Sequence, residues 1–181
     1  MARNVFQVDL KKAPEDAAIK THNRWHPDIP MVETFKRGEV LRVECYDWTG
    51  GQIGNNDSAN DIRDVDLTRV HYLSGPVGIE GAEPGDLLVV DILDAGPLPD
   101  QLWGFNGLFA KENGGGFLTE HYPNATKSIW DFEGIYAKSR HVPGVRYPGL
   151  IHPGLIGCLP DHKLLAEANR REAALIATDP N

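Results

Sequence analysis

Glycine and proline interrupt this chain so often that few elements of regular structure can run long. Its 181 residues include 19 Gly and 13 Pro, spread along the whole length rather than gathered in one linker. Helix interiors tolerate neither residue, whereas short strands joined by tight turns use both. The spacing therefore predicts a mainly β chain, a sandwich or barrel of many short strands. The clearest strand candidates are Val40 to Cys45, which alternates apolar and polar residues, and Leu87 to Leu93. The second is nearly all apolar, so it reads as a central strand covered on both faces, entered through the Glu83-Pro84-Gly85-Asp86 turn. Asn4 to Val8 and Val32 to Phe35 are weaker candidates.

A chain of this length builds one core, so a single β-rich domain over 1–181 is expected. The formal net charge of −8 argues against a nucleic-acid partner, which would need a basic face to neutralise phosphates. No apolar run approaches the roughly 18 residues of a membrane span, and the N-terminus lacks the apolar core of a signal peptide. A soluble, cytoplasmic protein is expected. Cys45 and Cys158 read as buried thiols acting as small hydrophobes, not as a disulfide or a nucleophile.

Residues 113–153 differ in texture. They hold Gly114-Gly115-Gly116, several aromatic residues, and His121, His141 and His152, and they read as long ordered loops packed over a scaffold. A C-terminal helix follows. Asp161 is placed to cap it, and Leu164, Leu165, Ala168, Glu172 and Leu175 recur at near-helical spacing. The final Asp179-Pro180-Asn181 reads as the start of a loop.

Several reaction chemistries can be tested against the residues. There is no Gly-x-Ser-x-Gly elbow, no Ser-x-x-Lys site and no phosphate loop. Neither cysteine has the basic neighbourhood of a nitrilase-type thiol. No His-Glu-x-x-His occurs, and the prolines after His26 weaken the helical spacing of His22 and His26 as metal ligands. The segment Asn55 to Asp66 is rich in oxygen side chains but lacks calcium-loop spacing. It reads either as a solvated turn leading to a short helix or as a loop presenting Asp57 to a polar pocket, with Gly50-Gly51 allowing close backbone approach. If this chain hydrolyses an amide, a carboxylate or a metal must activate the water.

Several ordered stretches together resemble the acetamidase/formamidase family, and within it the formamidase branch. They include Asp47 to Ile53, Asn55 to Ala59, Gly75 to Asp86, Asn113 to Thr119, Ile129 to Tyr136, Ser139 to Val145 and His152 to Gly157. The resemblance implies a jelly-roll-like β-sandwich with long loops and a C-terminal helix. It further implies hydrolysis of formamide or another short aliphatic amide to the acid and ammonia, in a homo-oligomer. A divalent metal such as zinc is associated with some members, and no cofactor is assigned here. Asp47, Asp57, Glu133 and His152 are the catalytic candidates, and Gln52, Trp130 and Tyr136 the candidates for substrate contact. Family members are about twice as long and carry His-Gly-Gly-Asn and Gly-Asp-Gly-Glu segments that this sequence lacks. It resembles their N-terminal half, so a non-catalytic β-sandwich module or an inactive fragment is the alternative.

Overall fold

The computed structural model describes residues 2–19, 21–149 and 152–178. Its strands are short, as the glycine and proline spacing demands. β1 (Arg3–Phe6) pairs in parallel with β3 (Leu41–Val43), with an irregularity between Asn4 and Phe6. β2 (Glu33–Phe35) pairs in parallel with β4 (Val77–Ile79). The largest sheet is antiparallel, in the order β5 (Trp103–Leu108), β6 (Thr126–Glu133), β7 (Tyr136–Ser139) and β8 (Arg146–Pro148). Phe6, Phe35, Ile62 and Ile129 are the bulkiest fully buried apolar side chains among the described residues.

The β6–β7 hairpin shows how locally the sequence acts. Glu133 pairs with Tyr136, leaving Gly134 and Ile135 as a two-residue loop. Gly134 takes φ +61°, the positive value that the first position of a II′ turn needs, so the strands twist together without splaying. Beneath this sheet, Ile53, Ile62 and Val65 form an apolar cluster against Phe105, Phe109 and Ala125. Ile62 belongs to a single helical turn, α1 (Asn60–Arg63). Gly107 lets that turn approach, because a Cβ there would lie 2.9 Å from Ile62 Cδ1 and 2.7 Å from the Thr126 carbonyl.

The mainly β architecture and the C-terminal helix are as expected. Asp161 Oδ1 accepts the Leu164 N–H at 2.6 Å, starting α2 (His162–Ile176). Three expectations are overturned. The segment 113–153 is not loops over a scaffold, since it supplies β6, β7 and β8. Its short polar-aromatic strands escape a search for apolar alternation because cross-strand pairing, not burial, sets much of their pattern. The run Leu87 to Leu93 is not a covered strand; it belongs to no strand, with Leu87 90% and Val89 72% exposed. Strand-forming residues make a strand only where another segment completes the ladder, and no described residue does so here. Cys45 and Cys158 are exposed free thiols rather than buried ones. The residues 179–181, expected to begin a loop, lie outside those described. Among the described residues no helix is long and apolar enough to cross a membrane.

Candidate functional site

Where α1 meets the face of β6, the loop 54–58 is fastened by three side chains, one from β6 and two from the turn after β7. The deepest is Lys127, whose side chain is 1% exposed. Its ammonium donates to Asp61 Oδ2 at 2.7 Å and to both the Gly54 carbonyl and Asn56 Oδ1 at 3.1 Å. Three donors meet three acceptors, which is what an ammonium removed from water requires. Gly54 N–H also reaches Asp61 Oδ2, at 2.9 Å. Burial pushes the Asp61 pKa up, but the Lys127 hydrogen bond, those from the Gly54 and Ile62 amides and the charge of Lys127 outweigh it. Asp61 is held below the ordinary carboxylate range.

Arg140 makes the second fastening. Its Nε donates to Asp131 Oδ2 at 2.6 Å, a second guanidinium nitrogen reaches Asp131 Oδ1, and a third donates to Asn55 Oδ1 at 2.7 Å. The Arg140 hydrogen bonds hold Asp131 below its usual pKa.

His141 is the third. Its Nδ1 lies 3.0 Å from the Ile129 amide nitrogen and accepts that N–H. An imidazole nitrogen that accepts carries no proton, so in the neutral ring the proton sits on Nε2. That Nε2 lies 3.3 Å from Asp57 Oδ1. The ring is held from behind by the turn after β7, where Ser139 Oγ accepts the His141 and Val142 amides at 3.1 and 2.8 Å. Asp57 itself is 81% exposed, so its carboxylate faces solvent while the imidazole orients it.

The structure distributes the sequence candidates unevenly. Asp57 stands at the centre of this cluster. Asp47 lies in a neighbouring turn, where its oxygens accept the Thr49 N–H at 2.9 Å and the Gly51 N–H at 2.7 Å. Gln52 clamps that turn to the next loop, donating to the Thr49 and Asp66 carbonyls and accepting the Asp66 N–H at 2.8 Å. Both side chains have their polar atoms occupied by the backbone they shape. Side chains alternate along β6, so Glu133 lies on the face of Lys127 and Asp131, whereas Trp130 lies on the other. Glu133 comes within 3.9 Å of Lys138. The Trp130 indole donates to Asn106 Oδ1 at 2.6 Å and rests against Tyr147. Tyr136 carries the Arg146 guanidinium over its ring at 3.7 Å. His152 is exposed, and its Nδ1 accepts the Gly154 N–H at 3.1 Å. Asp47, Glu133 and His152 share no described hydrogen bond or ion pair with Asp57.

Sequence reasoning missed Lys127, Arg140 and His141 as site residues. Arg140 and His141 lay inside a stretch singled out for its resemblance, and that adjacency was the available signal. Lys127, in Thr126-Lys127-Ser128, carries none.

The polar centre that this β-rich chain builds is a carboxylate on an exposed loop, met by an imidazole from the turn after β7. Residues 7–181 match the Acetamidase/Formamidase family, and the chain belongs to it. It is 67% identical over 179 residues to a formamidase of Methylophilus methylotrophus, covering 99% of this chain and 44% of that protein. It is 61% identical to an acetamidase of Mycolicibacterium smegmatis, with 100% and 46% covered. A solved γ-lactamase from Delftia acidovorans superposes with a TM-score of 0.95 at 64% identity, over 99% of this chain and 44% of that one. The chain thus spans less than half the length of the relatives it matches.

Proposed function

We propose that this chain is part of an amidohydrolase that cleaves the C–N bond of formamide or another short linear amide, releasing the carboxylic acid and ammonia. Its 67% identity to a formamidase, sustained over 99% of its residues, carries that reading. A purely structural module, the competing reading, has no comparable observation behind it.

The chemistry needs a water made nucleophilic, a donor for the developing oxyanion and a proton for the departing nitrogen. In our reading Asp57 takes a proton from water as its oxygen attacks the amide carbon. The C–N bond then breaks, and the nitrogen leaves as ammonia after gaining a proton. His141, with its Nε2–H turned to Asp57, fixes the carboxylate that does this. Glu133 and His152 are candidates for the later proton transfer, and Gln52, Trp130 and Tyr136 for shaping the surroundings of a small substrate. Asp47 contributes by holding the Thr49–Gly51 turn.

Zinc would require three or four ligands. Among the described residues no group of three or more His, Cys, Asp or Glu side chains is placed to hold a metal ion, and Asp57 with His141 offers two. The residues present do not fit a complete metal site, and no step is routed through one. A cytoplasmic homo-oligomer is the setting we propose for the whole enzyme.

The test is ammonia release from formamide by a full-length polypeptide containing this sequence, compared with the 181-residue chain alone. We expect turnover from the first and none from the second. No turnover of formamide, acetamide or propionamide by the full-length protein would overturn the assignment.

A further inference from the structure

Arg140 and His141 are neighbours in the chain, and they hold two residues of the facing loop, Asn55 and Asp57. The turn that carries them is tied to β6 at a fully buried residue. Arg140 N–H donates to the Ile129 carbonyl at 3.0 Å, and Ile129 N–H donates to His141 Nδ1 at 3.0 Å. On the loop, the Gly54 carbonyl and Asn56 Oδ1 are taken inward by Lys127, at 3.1 Å each. Asn55 and Asp57 alternate with those two, and both are exposed.

The contact with Arg140 decides which way the Asn55 amide points. A guanidinium carries only N–H donors, so the Asn55 atom 2.7 Å from it is the amide oxygen. Arg140 is itself fixed, because two of its other nitrogens are taken by the Asp131 carboxylate. Asn55 Nδ2 therefore keeps two N–H donors, and none of the described hydrogen bonds uses them. On Asp57 the imidazole reaches Oδ1 and leaves Oδ2 to solvent. The hydrogen bonds to Asp131 raise the Arg140 pKa, and the charges of Asp131 and Asp57 act in the same direction, so Asp57 lies within electrostatic reach of the group that orients Asn55.

We infer that Asn55 is a catalytic residue, its Nδ2 donating a hydrogen bond to the substrate amide oxygen while Asp57 takes the proton of the attacking water. The inference rests on the amide-hydrolysis reading and supplies the oxyanion donor that the chemistry needs. Residues two apart are separated by no more than about 7 Å at their Cα atoms, so short side chains from both can meet one small carbonyl group. As the water oxygen bonds to the amide carbon, its proton passes to Asp57 and the C=O π pair moves onto oxygen. That pair returns when the C–N bond breaks, and the nitrogen leaves as ammonia once it has gained a proton. A donor already turned by Arg140 needs no reorganisation as the negative charge develops, which is what makes such a donor effective. Arg140 is thus a positioning residue.

Formamide turnover by a full-length polypeptide containing this sequence tests both roles. Asn55→Asp keeps an oxygen for Arg140, so the loop stays anchored, but has no N–H to give. It should lower kcat by about 10²–10³-fold. KM should change less than about threefold, and the loss should persist on the plateau of the pH–rate profile, beyond any shift the added charge imposes on Asp57. Asn55→Ala should lose as much. Arg140→Ala should lower kcat in the parent but little further in Asn55→Ala, since it acts through that residue; equal losses in both backgrounds would overturn its positioning role. Turnover that survives either Asn55 substitution, or a loss confined to KM, would overturn the inference alone. No turnover by the parent enzyme would overturn the hydrolase reading and this inference with it.

Discussion

The ammonium of Lys127 lies 2.7 Å from the carboxylate of Asp61 in a pocket where the lysine side chain is 1% exposed, and the loop bearing Asp57 is anchored by that pair. A buried pair of this kind contributes little net stability compared with a well-packed apolar substitute. Removing one member is another matter, because the other charge is then stranded. Lys127→Met is therefore expected to destabilise the chain by about 3–5 kcal/mol. Urea unfolding will measure it, and Lys127→Met combined with Asp61→Leu should recover much of the loss. A double-variant loss equal to the sum of the Lys127→Met and Asp61→Leu losses would show that the charges are not coupled.

Acid should loosen the same region. Asp61 and Asp131 both have folded-state pKa values below their ordinary ones. A depressed carboxylate adds stability that is fully present above its unfolded pKa, near 4, and is lost as pH falls through the lower folded value. Unfolding midpoints should accordingly drop below about pH 4. Asp61→Asn should flatten that acid-side slope while lowering stability at neutral pH. An unchanged slope would show that Asp61 is not held in its ionised form by Lys127.

For the reaction, Asp57→Asn in the full-length enzyme is expected to lower kcat on formamide by at least about 10²-fold, the scale of an acid–base group. The circular-dichroism spectrum should not change, since Asp57 is 81% exposed. His141→Gln should lower kcat and also displace the pH–rate profile, because it acts through the carboxylate it orients. His152→Ala is expected to cost about 10²-fold if it protonates the leaving nitrogen. Near-wild-type ammonia release from any of these removes that residue from the mechanism.

Gly107→Ala tests the packing below the site. The added methyl would meet the Thr126 carbonyl at 2.7 Å and Ile62 Cδ1 at 2.9 Å, pushing α1 from the sheet. Overpacking of this sort costs about 1–3 kcal/mol. A variant as stable as the parent would show that α1 shifts freely.

The parts of the fold legible in the sequence were those set by neighbours in the chain. Asp161 announces α2, and Glu83-Pro84-Gly85-Asp86 announces its turn, because both act over three or four residues. The sheet β5–β8 was hidden because its pairing joins Trp103 to Asp131 and Ala137 to Tyr147. Likewise, nothing local links Lys127 to Gly54 or His141 to Asp57, contacts that exist only once β6 and β7 are folded against α1. Asp57 could be singled out from its loop; the residues that orient it could not.

The run Leu87 to Leu93 also carries a colloidal hazard. Seven consecutive residues, six of them apolar, without proline and with one charge, fit the pattern of a steric zipper, and here they face solvent. Asp91 is the gatekeeper in that row, since stacking identical copies in register would bring its carboxylates together. At high concentration the 181-residue chain will therefore tend toward fibrils, and Asp91→Asn, which removes that repulsion, should speed their growth in a thioflavin assay. Left uncovered, the same seven residues can recruit further copies of the chain without limit.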